Sequence, residues 1–565
     1  MEYRYFIKQI DVNEPVEKIF DWHEKVGAFE RLTPPWMRLK NIQKSGNGIE
    51  TGAKVSMDIS FAGIPFPIRA EHIAYEKNDF FKDRLYGGIF SKWEHTHKFL
   101  PLGIFNIGEH STVSNIKTLP LNSKALPSKN FGLSRLEDRI DYALPFHIPD
   151  NWHNFIKEEL YRLFNYRHTV MVNDLKRHKI FEQNYKTSQF INNSELDHKI
   201  DSQIQKNLQI PKTLTILISG ASGPVGNALI PFLTTGGHRV IKLVRRRAKT
   251  KNISNTENIE EIEWNPYTGE LDLEEAIEKI SIKDEIKSSK EEKSGKGRAI
   301  DNRSEKCKID VVINLNGYHI GSGRWTRQTK DIIIKSRNLS TTLLAEKIAS
   351  LPQNIRPDLF ISASATGFYG DCGDACLDEN SCSGDLFISQ VCREWENCAK
   401  KAEDAGVRTV FARMGVVLTP AGGALERLLP GFMAGLGAKI GNGKQYMSWI
   451  SMDDLIYSLH HIIVSSSISN SSISGAVNLI SPNPVTNQEF TQTLAKVLSR
   501  PAPFTLPASL IKMVWGEMGQ EVLLSSTRVM PERLLESGFK FSYPTLEEAL
   551  RHLVGKKAYF FNKTD

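Results

Sequence analysis

Residues 216–226 read Ile-Leu-Ile-Ser-Gly-Ala-Ser-Gly-Pro-Val-Gly, an apolar strand running directly into a G-x-x-G-x-x-G turn. A helix-like stretch follows at Asn227–Leu233, then Gly236-Gly237-His238 and a second strand, Arg239–Val244. Strand, glycine turn, helix and strand within about 30 residues open a dinucleotide-binding βαβ unit. In that reading Gly220 permits the tight turn, Gly223 lets the backbone approach a pyrophosphate, and Gly226 lets the helix pack close to the strand. Ser222 and Val225 belong to the same turn, and the helix N-terminus offers its free N–H groups to the phosphates.

The end of the second strand bears on which dinucleotide. A site preferring NAD places Asp or Glu there to hold the ribose hydroxyls. This chain has Arg245-Arg246-Arg247 instead. An acid repels a 2′-phosphate, whereas guanidinium groups bind one through charge-assisted hydrogen bonds. Arg245 and Arg246 therefore point to NADP as the cofactor.

A chain of 565 residues, 40% hydrophobic and 24% charged, has room for two or three soluble domains. Its net charge of +7 is modest, and no basic stripe interleaved with aromatics accompanies it, which argues against a nucleic-acid partner. The first residues lack the apolar core of a signal peptide, and no run of about 18 apolar residues offers a membrane span. A cytoplasmic location is the expectation. Five of the six cysteines fall between Cys372 and Cys398, without C-x-x-C pairs. That spacing is unlike a structural zinc site and predicts free thiols.

Residues 1–182 read as a separate α+β domain. Tyr3–Val12 alternates as a strand, Pro15–Leu32 reads as helix, and strands follow at Lys54–Phe61 and Ile68–Tyr75. A long amphipathic helix closes it at about 153–178, with Ile156, Leu160, Leu163, Phe164, Met171 and Leu175 at helical spacing. The polar stretch 183–212 reads as a linker. Residues 213–501 then alternate strands and helices, as a doubly wound parallel sheet requires. A low-complexity insertion at 281–308 (nine Lys/Arg against six Asp/Glu) interrupts them. Residues 502–552 form a C-terminal segment.

The ordered motifs of the nucleotide half resemble extended short-chain dehydrogenase/reductases, in the atypical "epimerase family" or cell-division-inhibitor-like branch. They are Trp264-Asn-Pro266, Asn314-Leu-Asn-Gly317, Gly321-Ser-Gly-Arg-Trp-Thr326, Ser336-Arg337, Ser362-Ala-Ser-Ala-Thr-Gly-Phe-Tyr-Gly-Asp371, Val391-Cys-Arg-Glu-Trp-Glu396, Arg413-Met-Gly-Val-Val-Leu418, Met447-Ser-Trp-Ile450, Asn483-Pro-Val-Thr-Asn487 and Gly516-Glu-Met-Gly519. The resemblance covers about residues 213–552. It implies a Rossmann-type fold in which Asn316 and Gly317 pass under the cofactor and Ser364 polarises a substrate carbonyl. The chain departs from the family pattern at the Tyr-x-x-x-Lys dyad, where the Lys would lower a tyrosine pKa of about 10. The corresponding helix, Asp385–Glu396, has neither residue, and Tyr559–Lys563 matches the spacing only in the tail. Tyr369 is the nearest substitute as proton donor, with Arg324, Lys335 and Arg337 as nearby charges.

The N-terminal half resembles SRPBCC or START-like helix-grip domains, on Trp93-Glu-His-Thr-His-Lys-Phe99, Asp138-Arg-Ile-Asp-Tyr142 and Phe164-Asn-Tyr-Arg-His168. That resemblance implies a sheet wrapped on the last helix around an apolar ligand. His95 and His97 can share one strand face, but the sequence supplies no third ligand, so no metal is expected. The combined expectation is an NADP(H)-dependent oxidoreductase or epimerase acting on a carbonyl or hydroxyl of a small-molecule substrate. The C-terminal segment would cover the substrate cleft. Two alternatives stand beside it: an NADP-sensing regulator without turnover, and a carrier of apolar ligands.

Overall fold

A computed structural model describes residues 3–37, 39–61, 64–88, 90–104, 132–145, 150–193, 213–245, 258–278, 308–465 and 473–556. Arg246 and Arg247, the insertion up to Cys307, and Tyr559–Lys563 lie outside the described residues. The chain divides into two compact units. The first runs to His178 and takes the chain back from Val554; the second lies between.

In the first unit, β1 (Tyr3–Val12), β2 (Leu39–Ser45), β3 (Lys54–Phe61), β4 (Ile64–Glu76), β5 (Phe80–Gly87), β6 (Lys92–Ile104) and β7 (Gly132–Ala143) form one sheet, in the order β1-β7-β6-β5-β4-β3-β2. Every pairing is antiparallel. The predicted helix at 15–32 is two helices, α1 (Val16–Glu24) and α2 (Ala28–Leu32): the chain leaves the first at an extended Lys25, and Gly27, with a left-handed φ of +101°, turns it into the second. The closing helix α3 spans Asp150–Asn193, so the polar stretch read as linker from residue 183 begins inside a helix. Long polar side chains such as Lys, Gln and Glu have good helix propensity and continue a helix without an apolar face. Leu160, Phe164, Met171 and Leu175 of α3 are buried, as their spacing predicted. Arg31 and Asp174 form a buried bidentate pair, at 2.7 and 2.8 Å.

The second unit is built on β8 (Thr215–Ser219), β9 (Arg239–Val244), β10 (Ile259–Glu263), β11 (Val311–Asn314), β12 (Leu359–Ala365) and the strands Arg408–Met414 and Gly475–Leu479. Their order is β10-β9-β8-β11-β12, then Arg408–Met414 and Gly475–Leu479, all parallel. All five residues of β8 are buried, as an unalternating apolar run in a central parallel strand should be. The chain lays β9 and β10 on one side of β8 and then returns to place β11 on the other. The order therefore reverses between β8 and β11, which is where open α/β sheets bind ligands. This is a Rossmann-like α/β fold with an additional N-terminal antiparallel-sheet unit. No helix among the described residues is long and apolar enough to cross a membrane.

Candidate functional site

The glycine turn leaves β8 at this reversal. Gly220 has φ +70°, and a Cβ there would lie 2.6 Å from the carbonyl carbon and oxygen of Leu315, at the end of β11. Only glycine lets the two strand ends approach so closely. Gly223 donates its N–H to the Gly220 carbonyl at 3.0 Å and caps the helix Pro224–Thr235. At Gly226 a Cβ would sit 2.7 Å from the carbonyl oxygens of both Gly220 and Ala221, so helix and turn touch through backbone alone. Pro224 occupies the first turn, where its missing N–H costs nothing. Ser222 is exposed, its carbonyl accepting from Asn227 Nδ2 at 3.0 Å, and Val225 packs against the main core cluster. The first-turn N–H groups of such a helix lack intrahelical partners, and the dipole favours an anion there. The turn thus has the shape and polarity to hold a pyrophosphate.

The facing wall is fixed by a buried chain that the sequence did not announce. Ser219 Oγ donates to Asn314 Oδ1 at 2.6 Å, and Asn314 Nδ2 donates to Thr341 Oγ1 at 2.8 Å. Trp395 Nε1 donates to the same hydroxyl at 2.9 Å. Asn314 Oδ1 also accepts the Asn316 N–H at 3.3 Å, and Asn316 Nδ2 reaches the Ser336 carbonyl. These bonds hold Asn316-Gly317 beside the glycine turn. A Cβ at Gly317 would meet the Arg337 guanidinium carbon at 3.2 Å. Arg337 itself is buried against the Trp395 ring, 4.9 Å from its centroid, and burial lowers its pKa to about 10. It donates to the Ile333 carbonyl, while Arg324 and Lys335 are exposed.

The structure places Ser364 and Tyr369 elsewhere than at an open cleft. Ser364 Oγ donates to Glu396 Oε1 at 2.6 Å. Glu396 is held by Arg413 in a two-pronged ion pair, both contacts 2.9 Å. Arg413 Nη1 then donates to the Tyr369 hydroxyl at 3.0 Å, and that hydroxyl donates to Asn478 Oδ1 at 2.8 Å. Tyr369 has no exposed surface. Its pKa is raised, because burial outweighs the stabilising effect of Arg413 on the phenolate. The expected proton donor is thus a neutral phenol fastening the loop after β12 to the strand Gly475–Leu479. Ser364 and Tyr369 are joined through Glu396 and Arg413, and neither hydroxyl is free.

Arg245 directly follows β9, exposed, and among the described residues it has no hydrogen bond or ion pair. Such a guanidinium is available to an anionic ligand. Cys372, Cys376, Cys382, Cys392 and Cys398 are all free thiols; burial pushes Cys392 up to about 12. The C-terminal segment is tied closely to the loop after β12. Asp371 Oδ1 accepts the Ser526 N–H at 3.0 Å, and Ser526 Oγ donates to the Gly373 carbonyl at 2.6 Å. Glu521 accepts from the N–H groups of Phe387 and Ile388, capping the helix Phe387–Cys398. A groove of about 430 Å³ opens here, its polar lining residues including Asp371, Asp374, Lys444, Gln445, Lys512 and Ser526.

Comparison with known proteins gives a consistent picture. A family model described as the NAD dependent epimerase/dehydratase family matches residues 216–472, and a domain of unknown function matches 506–553. An epimerase family protein of Mycobacterium bovis is 36% identical over 335 residues, spanning 59% of this chain and 96% of its own. The human epimerase family protein SDR39U1 is 30% identical over 344 residues, spanning 60% of this chain and 100% of its own. A crystal structure from Corynebacterium glutamicum, described as a nucleoside-diphosphate sugar epimerase, is 26% identical with a TM-score of 0.62. It covers 97% of this chain and 90% of that one.

Proposed function

The chain belongs to the NAD-dependent epimerase/dehydratase family, and from that premise we propose that it binds NADP(H) between β8 and β11. There it exchanges hydride with a carbonyl or hydroxyl carbon of a small molecule. The observation that carries this reading is the glycine turn at the reversal of strand order, where the Cβ-sized spaces at Gly220 and Gly226 are taken by backbone. Gly220, Ser222, Gly223, Val225 and Gly226 hold the pyrophosphate, and Asn316-Gly317 forms the floor. Arg245, with Arg246, takes the 2′-phosphate. When bound, the cofactor supplies the hydride or accepts it.

The rest is the work of the chain's own residues. The substrate occupies the groove between the loop after β12 and the C-terminal segment, where Lys444 and Lys512 suit a phosphorylated molecule. The Corynebacterium relative makes nucleoside-diphosphate sugars the first class to try. Ser364, Glu396, Arg413 and Tyr369 position the groove wall. Ser364 reaches a substrate oxygen only by releasing Glu396.

A second reading, an NADP sensor without turnover, is favoured by the same network, since the Tyr369 and Ser364 hydroxyls are both committed within the protein. The two readings separate when the chain is mixed with NADPH deuterated at C4 and a panel of nucleoside-diphosphate keto-sugars. Deuterium appearing in a sugar product supports the enzyme. NADPH that binds but stays unoxidised across the panel supports the sensor.

We infer that the N-terminal unit, an antiparallel sheet with a long final helix, is a helix-grip, SRPBCC/START-like module that holds a ligand. Its interior joins apolar clusters to a buried group of histidines and aspartates, so its ligand carries a polar group as well as an apolar body.

A further inference from the structure

Four separate stretches of the N-terminal unit meet at one point inside it. Antiparallel register sets Asp83 of β5 directly opposite His95 of β6, and Asp138 of β7 directly opposite His97. Because strand side chains alternate, His95 and His97 share a face, and their rings lie 3.9 Å apart. That face looks toward α3, whose Phe164 ring is 5.2 Å from His95. His168, one helical turn after Phe164, brings its Nε2 to 2.5 Å from Asp138 Oδ2. His95, His97, Asp138 and His168 are each at least nine-tenths buried.

We propose that Asp83, His95 and His97 form a binding site for a divalent transition-metal ion, with Asp138 and His168 packed behind the ligands. Each of the three offers a ligand atom, and all three atoms lie within 4.8 Å of one another. His95 Nδ1 stands 3.3 Å from Asp83 Oδ2, close to the edge of about 3.4 Å that bonds of 2.0–2.2 Å give a tetrahedral zinc. His95 turns its other nitrogen, Nε2, to Asp138 Oδ1 at 3.0 Å. A carboxylate behind the distal nitrogen of a ligating histidine fixes its tautomer and orientation, a recurrent feature of metal sites. His97 Nδ1 lies 2.7 Å from Asp138 Oδ1 but off the ring's N–H direction, so this buried nitrogen makes no directed hydrogen bond; nor does His168 Nδ1. Two imidazoles and one carboxylate select zinc, iron, nickel or copper over magnesium or calcium, which take oxygen ligands. Asp83, with 18% of its side chain exposed, is the member open to solvent. Three protein ligands leave a fourth position for water or for an oxygen of a ligand held in the unit.

The test uses the tag-free full chain, stripped with chelator and titrated with Co²⁺ as the probe. One equivalent is expected to bind, giving visible bands of nitrogen/oxygen ligation that Zn²⁺ displaces. His97→Ala and Asp83→Asn are expected to weaken binding at least tenfold while NADPH binding is retained. Should either variant fail to fold, X-ray absorption on the wild-type cobalt form decides, with two imidazoles and no sulfur as the expected ligand set. Absence of stoichiometric Co²⁺ binding at micromolar metal overturns the proposal. So do sulfur-to-cobalt charge-transfer bands, which would place the ion on the cysteines at 372–398, and unchanged affinity in a folded His97→Ala.

Discussion

Arg413→Ala is expected to destabilise the nucleotide-binding unit by about 3–5 kcal/mol, the usual cost of leaving one partner of a buried ion pair alone. Arg413 is 5% exposed and Glu396 9%, so neither charge has water to fall back on. The substitution strands the Glu396 carboxylate, removes a donor from the Tyr369 hydroxyl, and takes away the guanidinium lying 3.5 Å over the Phe368 ring. Replacing both partners, as in Glu396→Leu with Arg413→Met, should cost much less, because no buried charge is left unpaired. Denaturant unfolding of the two variants measures the difference. Equal losses, or a loss below about 1 kcal/mol for Arg413→Ala, would show that the pair is not what holds the loop after β12.

Gly226→Val is expected to lower NADPH affinity at least 100-fold, about 2.8 kcal/mol at 1.4 kcal/mol per decade. The added Cβ would press at 2.7 Å on two backbone carbonyls, and backbone cannot yield as a side-chain tip can. The helix must move off the turn, carrying its N-terminus away from the pyrophosphate. Gly431→Ala is the control, since a Cβ there meets nothing within 4 Å. Fluorescence titration with NADPH reads both variants. Affinity in folded Gly226→Val within threefold of the wild type would remove the turn from the binding site.

Much of this architecture is legible in the sequence wherever one segment carries its own signal. The alternation of Tyr3–Val12 and the apolar run before Gly220 dictate strands, and the structure has both. Local signals mislead where a single residue or mere polarity is read too simply. The break at Lys25–Gly27 splits one predicted helix into two, and the residues from 183 to 193 extend a helix rather than begin a linker. The chemistry was harder to read, because it depends on partners far apart in the chain. Ser364 and Tyr369 lie five residues apart, yet what they do is set by Glu396, Arg413 and Asn478, which come from a helix and two other strands. The motifs Val391–Glu396 and Arg413–Leu418 contain two of those partners without revealing that they pair. The same holds for His95 and His97. Their spacing puts them on one face, but only strand register brings Asp83 beside them.

The central claim, an NADP(H) site at the β8–β11 reversal read by the arginines that follow β9, is tested most directly by calorimetric titration of the full chain with NADPH and NADH in parallel. The wild type should bind NADPH at least tenfold more tightly than NADH, and Arg245→Ala with Arg246→Ala should erase that preference while leaving NADH binding nearly unchanged. Equal affinity of the wild type for both dinucleotides, or equal losses for both in the double variant, would contradict the 2′-phosphate assignment. No binding of either would contradict the site itself.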